Sequence, residues 1–210
     1  MPRKVITRQE EFWAGEFGDD YCDRNVGAKL IASNTALFSR ILSRTAGVGT
    51  VIEFGANIGL NLQAISQLLP NAELSAIEIN AKAVSRLKGL KCIKKVFHES
   101  LLKFEPEYAW DLVLVKGVLI HINPDALKDI YSKIYDSSRR YILLSEYYNP
   151  KPMEVNYRGH SGKLFKRDFA GEMLDLFSDL RLLDYGFVYH RDPTFPQDDF
   201  TWFLLEKNYK

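Results

Sequence analysis

From Gly47 onward, short β-rich runs alternate with stretches of helical periodicity, a pattern that confines the chain to a mostly parallel sheet covered by helices. The runs occupy 50–54, 73–78, 91–97, 111–116 and 141–145, with helical stretches at 59–69, 81–88 and 124–137. Each helical stretch opens at a glycine, asparagine or proline signal. Past residue 165 the pattern becomes a helix over 167–177 and two strands over 181–190 and 200–206, joined by a turn holding Pro193 and Pro196. That ending predicts an antiparallel pair closing one edge of the sheet.

Two segments fall outside the alternation. The first reads as a short helix over 9–14, a loop over 15–25 and a helix over 26–42 whose apolar face packs on the sheet. The loop, Gly15-Glu16-Phe17-Gly18-Asp19-Asp20-Tyr21, is rich in aromatic and acidic residues for a mere connector. The second, 147–163, holds two prolines and two glycines and reads as a long irregular loop of the kind that carries function. The expected organisation is a single domain over 1–210, with a helical cap (1–46) and an α/β core (47–210) that bears a loop insertion at about 147–165.

Charge narrows the function classes. Lysine and arginine total 28 against 27 acidic residues, so a net charge of +1 removes the bulk signal of a nucleic-acid or membrane-surface protein. No run approaches the roughly 20 apolar residues that cross a bilayer. The start, Met1-Pro2-Arg3-Lys4, leads into polar residues rather than an apolar signal core, and the expected location is cytoplasmic. Cys22 and Cys92 lack metal-ligand spacing and read as packed thiols, and no metal site is expected.

The strongest local motif is Val51-Ile52-Glu53-Phe54-Gly55-Ala56-Asn57-Ile58-Gly59-Leu60-Asn61, an apolar strand running into a glycine-bearing turn and a helix. Gly55 permits a sharp turn with a ligand against main chain, and Gly59 lets the helix start close to its neighbours. About 20 residues on, Ile77-Glu78-Ile79-Asn80 ends the second strand with a carboxylate suited to both hydroxyls of a ribose. Turn and acid together point to a nucleoside ligand. A dinucleotide pyrophosphate favours a full G-x-G-x-x-G turn, whereas here Glu53 precedes the turn and Asn57 stands in the middle glycine's place. A carboxylate there repels a pyrophosphate and attracts an ammonium or sulfonium group.

On these residues the chain resembles the class I S-adenosylmethionine-dependent methyltransferases, whose first motif is an acid followed by spaced glycines. The resemblance covers about 47–146 and implies a three-layer, Rossmann-like fold with a mostly parallel seven-stranded sheet, an antiparallel C-terminal strand and an N-terminal helical extension. It implies S-adenosyl-L-methionine as cofactor, with Glu53 and Gly55 at the methionine moiety, Asn57 and Gly59 in the same cofactor-binding turn, and Glu78, beside Ile79, holding the ribose. Ser100 and Leu101, in His98-Glu99-Ser100-Leu101, would flank the adenine, and Lys116 ends the fourth strand beside the site. The flanks, Phe12 to Tyr21, Glu146 to Pro150, Tyr157-Arg158-Gly159-His160 and Lys163 to Phe169, resemble the methyltransferases associated with pseudaminic acid biosynthesis. That second resemblance implies a sugar or sugar-nucleotide acceptor of the nonulosonic acid type.

Methyl transfer needs alignment of the acceptor and, where the acceptor holds a proton, its removal. His121, after the fourth strand, and His160 and Tyr157, in the polar loop, are the candidate catalytic residues. Asp20, Tyr21 and Arg24 from the N-terminal loop, with Tyr147, Tyr148, Arg158 and Lys163 from the later one, are the candidate substrate contacts. Both segments are expected to converge over the carboxyl ends of the central strands. A nucleic-acid or protein methyltransferase, a nucleotide-dependent oxidoreductase and a non-catalytic binding protein stand as alternatives. The small-molecule reading leads, because neither an extended basic stripe nor an Asn/Asp-Pro-Pro-aromatic motif is present.

Overall fold

The computed structural model describes residues 7–208, so the polar start at 1–4 lies outside the described residues. Helix α1 (Arg8–Ala14) begins with a capping box: the Thr7 hydroxyl accepts from the Glu10 amide at 3.1 Å, and the Glu10 carboxylate accepts from the Thr7 amide at 2.7 Å. Helices α2 (Glu16–Arg24) and α3 (Ala28–Leu42) follow. Next come β1 (Thr50–Phe54), α4 (Leu60–Leu68), β2 (Glu73–Glu78), α5 (Ala81–Lys88), β3 (Ile93–His98) and β4 (Trp110–Lys116). Then α6 (Leu127–Ser137), β5 (Ser138–Glu146), β6 (Met153–Tyr157), β7 (His160–Lys166), α7 (Phe169–Leu176), β8 (Leu180–Phe187) and β9 (Thr201–Lys207) complete the order.

Seven strands form one sheet in the order β3-β2-β1-β4-β5-β9-β8. The first five pair in parallel, and β9 runs antiparallel between β5 and β8. This is the three-layer α/β architecture with a C-terminal antiparallel strand that the sequence predicts. Alternation along the strands divides the core. Val51, Leu112 and Leu114 face Phe38, Ile41, Leu62 and Ile65 of α3 and α4. On the other face, Ile52, Val113 and Val115 meet Ile130, Ile134 and Met173 of α6 and α7. Strands buried on both faces read as continuous apolar runs, which is why 50–54 and 111–116 stand out in the sequence.

Two segments differ from the sequence expectation. The stretch 15–25 is helix α2 rather than a loop, because Gly18 and Cys22, one turn apart, form a narrow buried seam despite the acidic and aromatic residues around them. A Cβ at residue 18 would lie 1.9 Å from the Trp13 carbonyl oxygen, so the glycine there serves close packing instead of a turn. The stretch 147–163 is not irregular either. Residues 153–166 fold as the β6–β7 hairpin, with Arg158 (φ 50°) and Gly159 (φ 88°) at its two-residue tip and the Asn156 side chain accepting from the Gly159 amide at 2.9 Å.

Candidate functional site

The chain leaves β1 toward β2 on one side, and β4 lies on the other, so the turns after these strands part and open a crevice at their carboxyl ends. A cavity of about 730 Å³ lies there, bordered by 55–58 after β1, 77–80 after β2 and 116–118 after β4. The cap and the hairpin both reach it: Trp13, Tyr21 and Arg24 border it from α1 and α2, and Tyr157 and Arg158 from the hairpin tip.

The glycine turn is built tightly. The Gly55 and Ala56 amides both donate to the Ile77 carbonyl, at 2.9 and 3.0 Å. Gly55 sits at φ 72°, and a Cβ there would come within 2.7 Å of the Val118 side chain. Asn57 adopts φ 47°, the left-handed conformation that asparagine takes more readily than most residues. Its amide donates to one Glu78 oxygen at 2.7 Å, and the Asn80 amide donates to the other at 2.8 Å. Burial pushes the Glu78 carboxyl up while these amides oppose the shift, and the carboxylate keeps free lone pairs on the cavity wall. Ile79 borders the cavity beside it. Gly59, at φ 81°, does not border it; a Cβ there would meet Leu87 and Leu90 at 2.8 Å, so this glycine permits helix packing.

Glu53 lies behind the wall. It is 1% exposed, and one of its oxygens accepts from the Asn61 side chain at 2.6 Å while the other, Oε2, has no hydrogen-bond partner among the described residues. Burial pushes its carboxyl up to about 8. Asn61 stands between it and the cavity. Lys116 does border the cavity: its Nζ lies 4.9 Å from the centre of the Phe200 ring and has no hydrogen-bond or ion-pair partner among the described residues. Burial pulls the Lys116 ammonium down, opposed by Glu53, Asp198 and Glu146.

Ser100 and Leu101 border the other end, and the Ser100 hydroxyl donates to the Glu10 carboxylate, tying α1 to the sheet. Asn80 adds a second tie, its amide nitrogen donating to Asp19 at 2.8 Å. Lys163 and Gln9 supply a third, because the Lys163 ammonium donates to the Arg8 carbonyl at 2.6 Å and the Gln9 side chain to the Gly162 carbonyl at 3.1 Å. The cap therefore rests on both the sheet edge and the hairpin.

His121 is 9% exposed and lines the cavity between Trp13 and Tyr157, at ring distances of 4.5 and 5.0 Å. Its Nδ1 lies 2.6 Å from the Lys163 carbonyl, which only accepts, so Nδ1 carries the hydrogen and Nε2 the lone pair. Burial pulls its pKa down to about 4, and the ring is neutral at pH 7. The turn carrying it is held by Glu146, whose carboxylate accepts from the Val118, Leu119 and Ile120 amides at 2.9, 3.0 and 3.4 Å.

The remaining sequence candidates divide. Tyr147 borders the cavity, stacked on Phe200 at 4.8 Å. Asp20, Tyr148, His160 and Lys163 do not border it; His160 is exposed and packs edge-on against Phe12, at 5.1 Å. Sequence reasoning missed Glu10, Trp13, Ser33, Asn34, His190, Gln197 and Asp198, all on the wall. Thr7-x-x-Glu10 carried a capping-box signal, while Ser33 and Gln197 reach the wall only through tertiary packing. Among the described residues no group of three or more histidine, cysteine, aspartate or glutamate side chains is placed to hold a metal ion.

No family model matches the chain, and no curated protein matches it. Solved structures share its fold across nearly the whole length. A 1,6-didemethyltoxoflavin-N1-methyltransferase from Burkholderia thailandensis, with S-adenosylhomocysteine bound, superposes with a TM-score of 0.71 at 15% identity, covering 100% of this chain and 93% of that one. A SAM-dependent methyltransferase from Leishmania major gives 0.68 at 15% identity, with 99% and 98% covered. The magnesium protoporphyrin IX methyltransferase of Synechocystis PCC 6803, also with S-adenosylhomocysteine, gives 0.65 at 14% identity, with 95% and 97% covered.

Proposed function

We propose that this chain is an S-adenosylmethionine-dependent methyltransferase acting on a small, polar, anionic acceptor, of the nonulosonic acid or sugar-nucleotide type. The observation that carries the donor assignment is the joint geometry of the Asn57 turn and Glu78, a backbone cradle and a fixed carboxylate on one cavity at the switch point of the sheet. Its residues fit that donor. Gly55 leaves main chain bare beside the wall, Ser100 and Leu101 border one end, and Glu53 holds Asn61 in place on the wall through its side-chain nitrogen. The fold neighbours named above include enzymes whose acceptors are small molecules, in keeping with this reading.

S-adenosylmethionine supplies an electrophilic methyl group; the chain's own residues align, desolvate and deprotonate. Trp13, Tyr21 and Tyr157 roof the cavity and exclude water. Arg24 and Arg158 border it with only ring contacts among the described residues, to Phe17 and Tyr157, and their guanidinium groups bind the acceptor's carboxylate or phosphate. His121 offers Nε2 to an acceptor proton, its tautomer fixed by the Lys163 carbonyl. His160 and Lys163 shape and hold the cap instead of touching the acceptor.

Transfer of a labelled methyl group to sugar nucleotides, free acidic sugars, RNA and peptides tests the acceptor class. Transfer to the acidic sugars or their nucleotides is expected. Transfer to RNA or peptides with none to sugars contradicts it.

A further inference from the structure

The Glu78 carboxylate is held from two sides by main chain, through the Asn57 amide at 2.7 Å and the Asn80 amide at 2.8 Å. Its aim therefore depends on where those two turns sit, and α2 grips both. The Asn80 side-chain nitrogen donates to the Asp19 carboxylate at 2.8 Å and to the Trp13 carbonyl at 3.2 Å. One turn along α2, the Cys22 thiol donates to the Asn57 side-chain oxygen at 3.1 Å. Burial pushes that thiol up to about 11, so the hydrogen stays on sulfur at neutral pH. Helix α2 is clamped in turn on α5, which begins after Asn80. Arg86 donates to the Cys22 carbonyl at 2.9 Å and to Asp23 at 2.5 Å, and Lys82 donates to Asp23 at 2.7 Å.

The local fold does not require these grips. Asn80 caps α5 with its oxygen alone, accepting from the Ala83 amide at 2.9 Å, and the left-handed backbone of Asn57 suits its turn without a side-chain partner. What Asp19 and Cys22 add is a fixed setting for both asparagines, and so for the carboxylate between them. Gly18 makes the approach possible, since a Cβ there would come within 2.9 Å of the Asn80 side-chain nitrogen. We infer that Asp19 and Cys22 are positioning residues for the methyl donor's ribose, acting through Asn80 and Asn57 on Glu78. Given the methyl-donor reading, on which this rests, α2 responds to the ribose hydroxyls in particular, and by reciprocity those hydroxyls tighten α2 on the sheet. Asp19 lies off the cavity wall, so its influence on a ligand passes through the residues it holds.

S-adenosylhomocysteine and its 2′,3′-dideoxy analogue, which differ only in the ribose hydroxyls, separate positioning of Glu78 from general support of the pocket. By calorimetry on the full chain, wild type should bind the analogue about tenfold or more weaker, the scale of bonds to a charged group. Asp19→Ala should weaken S-adenosylhomocysteine by about fivefold and leave the analogue within about twofold, shrinking the ratio between them. Asp19→Asn, which keeps an oxygen for Asn80, should restore the wild-type ratio, and Cys22→Ala should shrink it to a smaller extent. Equal weakening of both ligands by Asp19→Ala, no weakening of either, or no rescue by Asp19→Asn overturns the proposal. Where melting shows Asp19→Ala unfolded, Cys22→Ala decides: a loss confined to S-adenosylhomocysteine supports the positioning role, and an equal loss or none overturns it. If wild type binds S-adenosylhomocysteine and the analogue alike, the positioning role fails and the methyl-donor reading stands. If wild type binds neither, both fail.

Discussion

Asn57 and Arg158 are the non-glycine residues with left-handed backbone among those described, and both border the cavity. Asn57 is readable in advance, because asparagine replaces a motif glycine where that conformation is required. Arg158 is not, since nothing in an arginine signals φ 50°; the two-residue hairpin tip imposes it. Arg158→Gly is therefore expected to leave thermal stability unchanged or raise it by up to roughly 1 kcal/mol while weakening the anionic acceptor, read by melting and by acceptor KM. A stability loss without a change in KM would give Arg158 a purely structural role. Glu53 makes a second prediction. Its carboxyl is raised by burial from the ordinary 4.5 to about 8, so the folded state holds a proton that the unfolded state releases, and stability falls as pH rises through that interval. Glu53→Gln, which keeps an oxygen for Asn61 and does not titrate, should match wild type near pH 4.5 and become the more stable protein by pH 8. A constant difference across that range would contradict the buried, proton-holding state. The sequence located this acid in its motif; that it lies behind Asn61 depends on side-chain packing that no spacing encodes.

At the scale of elements, β1, β2 and α5 are legible to the residue, because apolar runs bounded by glycine or asparagine leave little freedom in where they start and stop. Helix α2 and the β6–β7 hairpin were not legible, as each owes its form to tertiary contacts: Gly18 and Cys22 pack on the α5 side, and the hairpin is carried by the His121 turn through the Lys163 carbonyl. Their convergence over the strand ends was expected, since the hairpin segment leaves β5 at that edge and an N-terminal segment has to reach it to take part in the chemistry. Glu10 is the hinge of that arrangement, since one side chain closes the capping box and receives the Ser100 hydroxyl. Glu10→Ala should cost about 1 kcal/mol of stability and speed amide exchange across α1 without disturbing β1 or β4. In wild type, S-adenosylhomocysteine should slow exchange across α1 and α2, whose Trp13 and Tyr21 border the cavity. Equal exchange with and without ligand would remove the cap from the site.

Over the whole molecule, a net charge of +1 conceals an uneven distribution: Lys116, Arg24 and Arg158 meet at one cavity, with ring contacts as the only close partners found for them among the described residues. Composition alone says only that no bulk field exists; the fold decides where charged side chains gather, and acids such as Glu78 and Asp198 border the same cavity. The sheet order that brings these cations together is the same order that puts the Asn57 turn beside Glu78, so the proposed cofactor and acceptor sites share one crevice. The central claim is that this crevice takes a sulfonium nucleoside and not a pyrophosphate dinucleotide. Titration calorimetry of the purified chain with S-adenosylmethionine, S-adenosylhomocysteine, NAD and NADP tests it most directly. One site binding the first two, abolished by Gly55→Val through the clash with Val118, is the expected result. Preferential binding of NAD or NADP would contradict it.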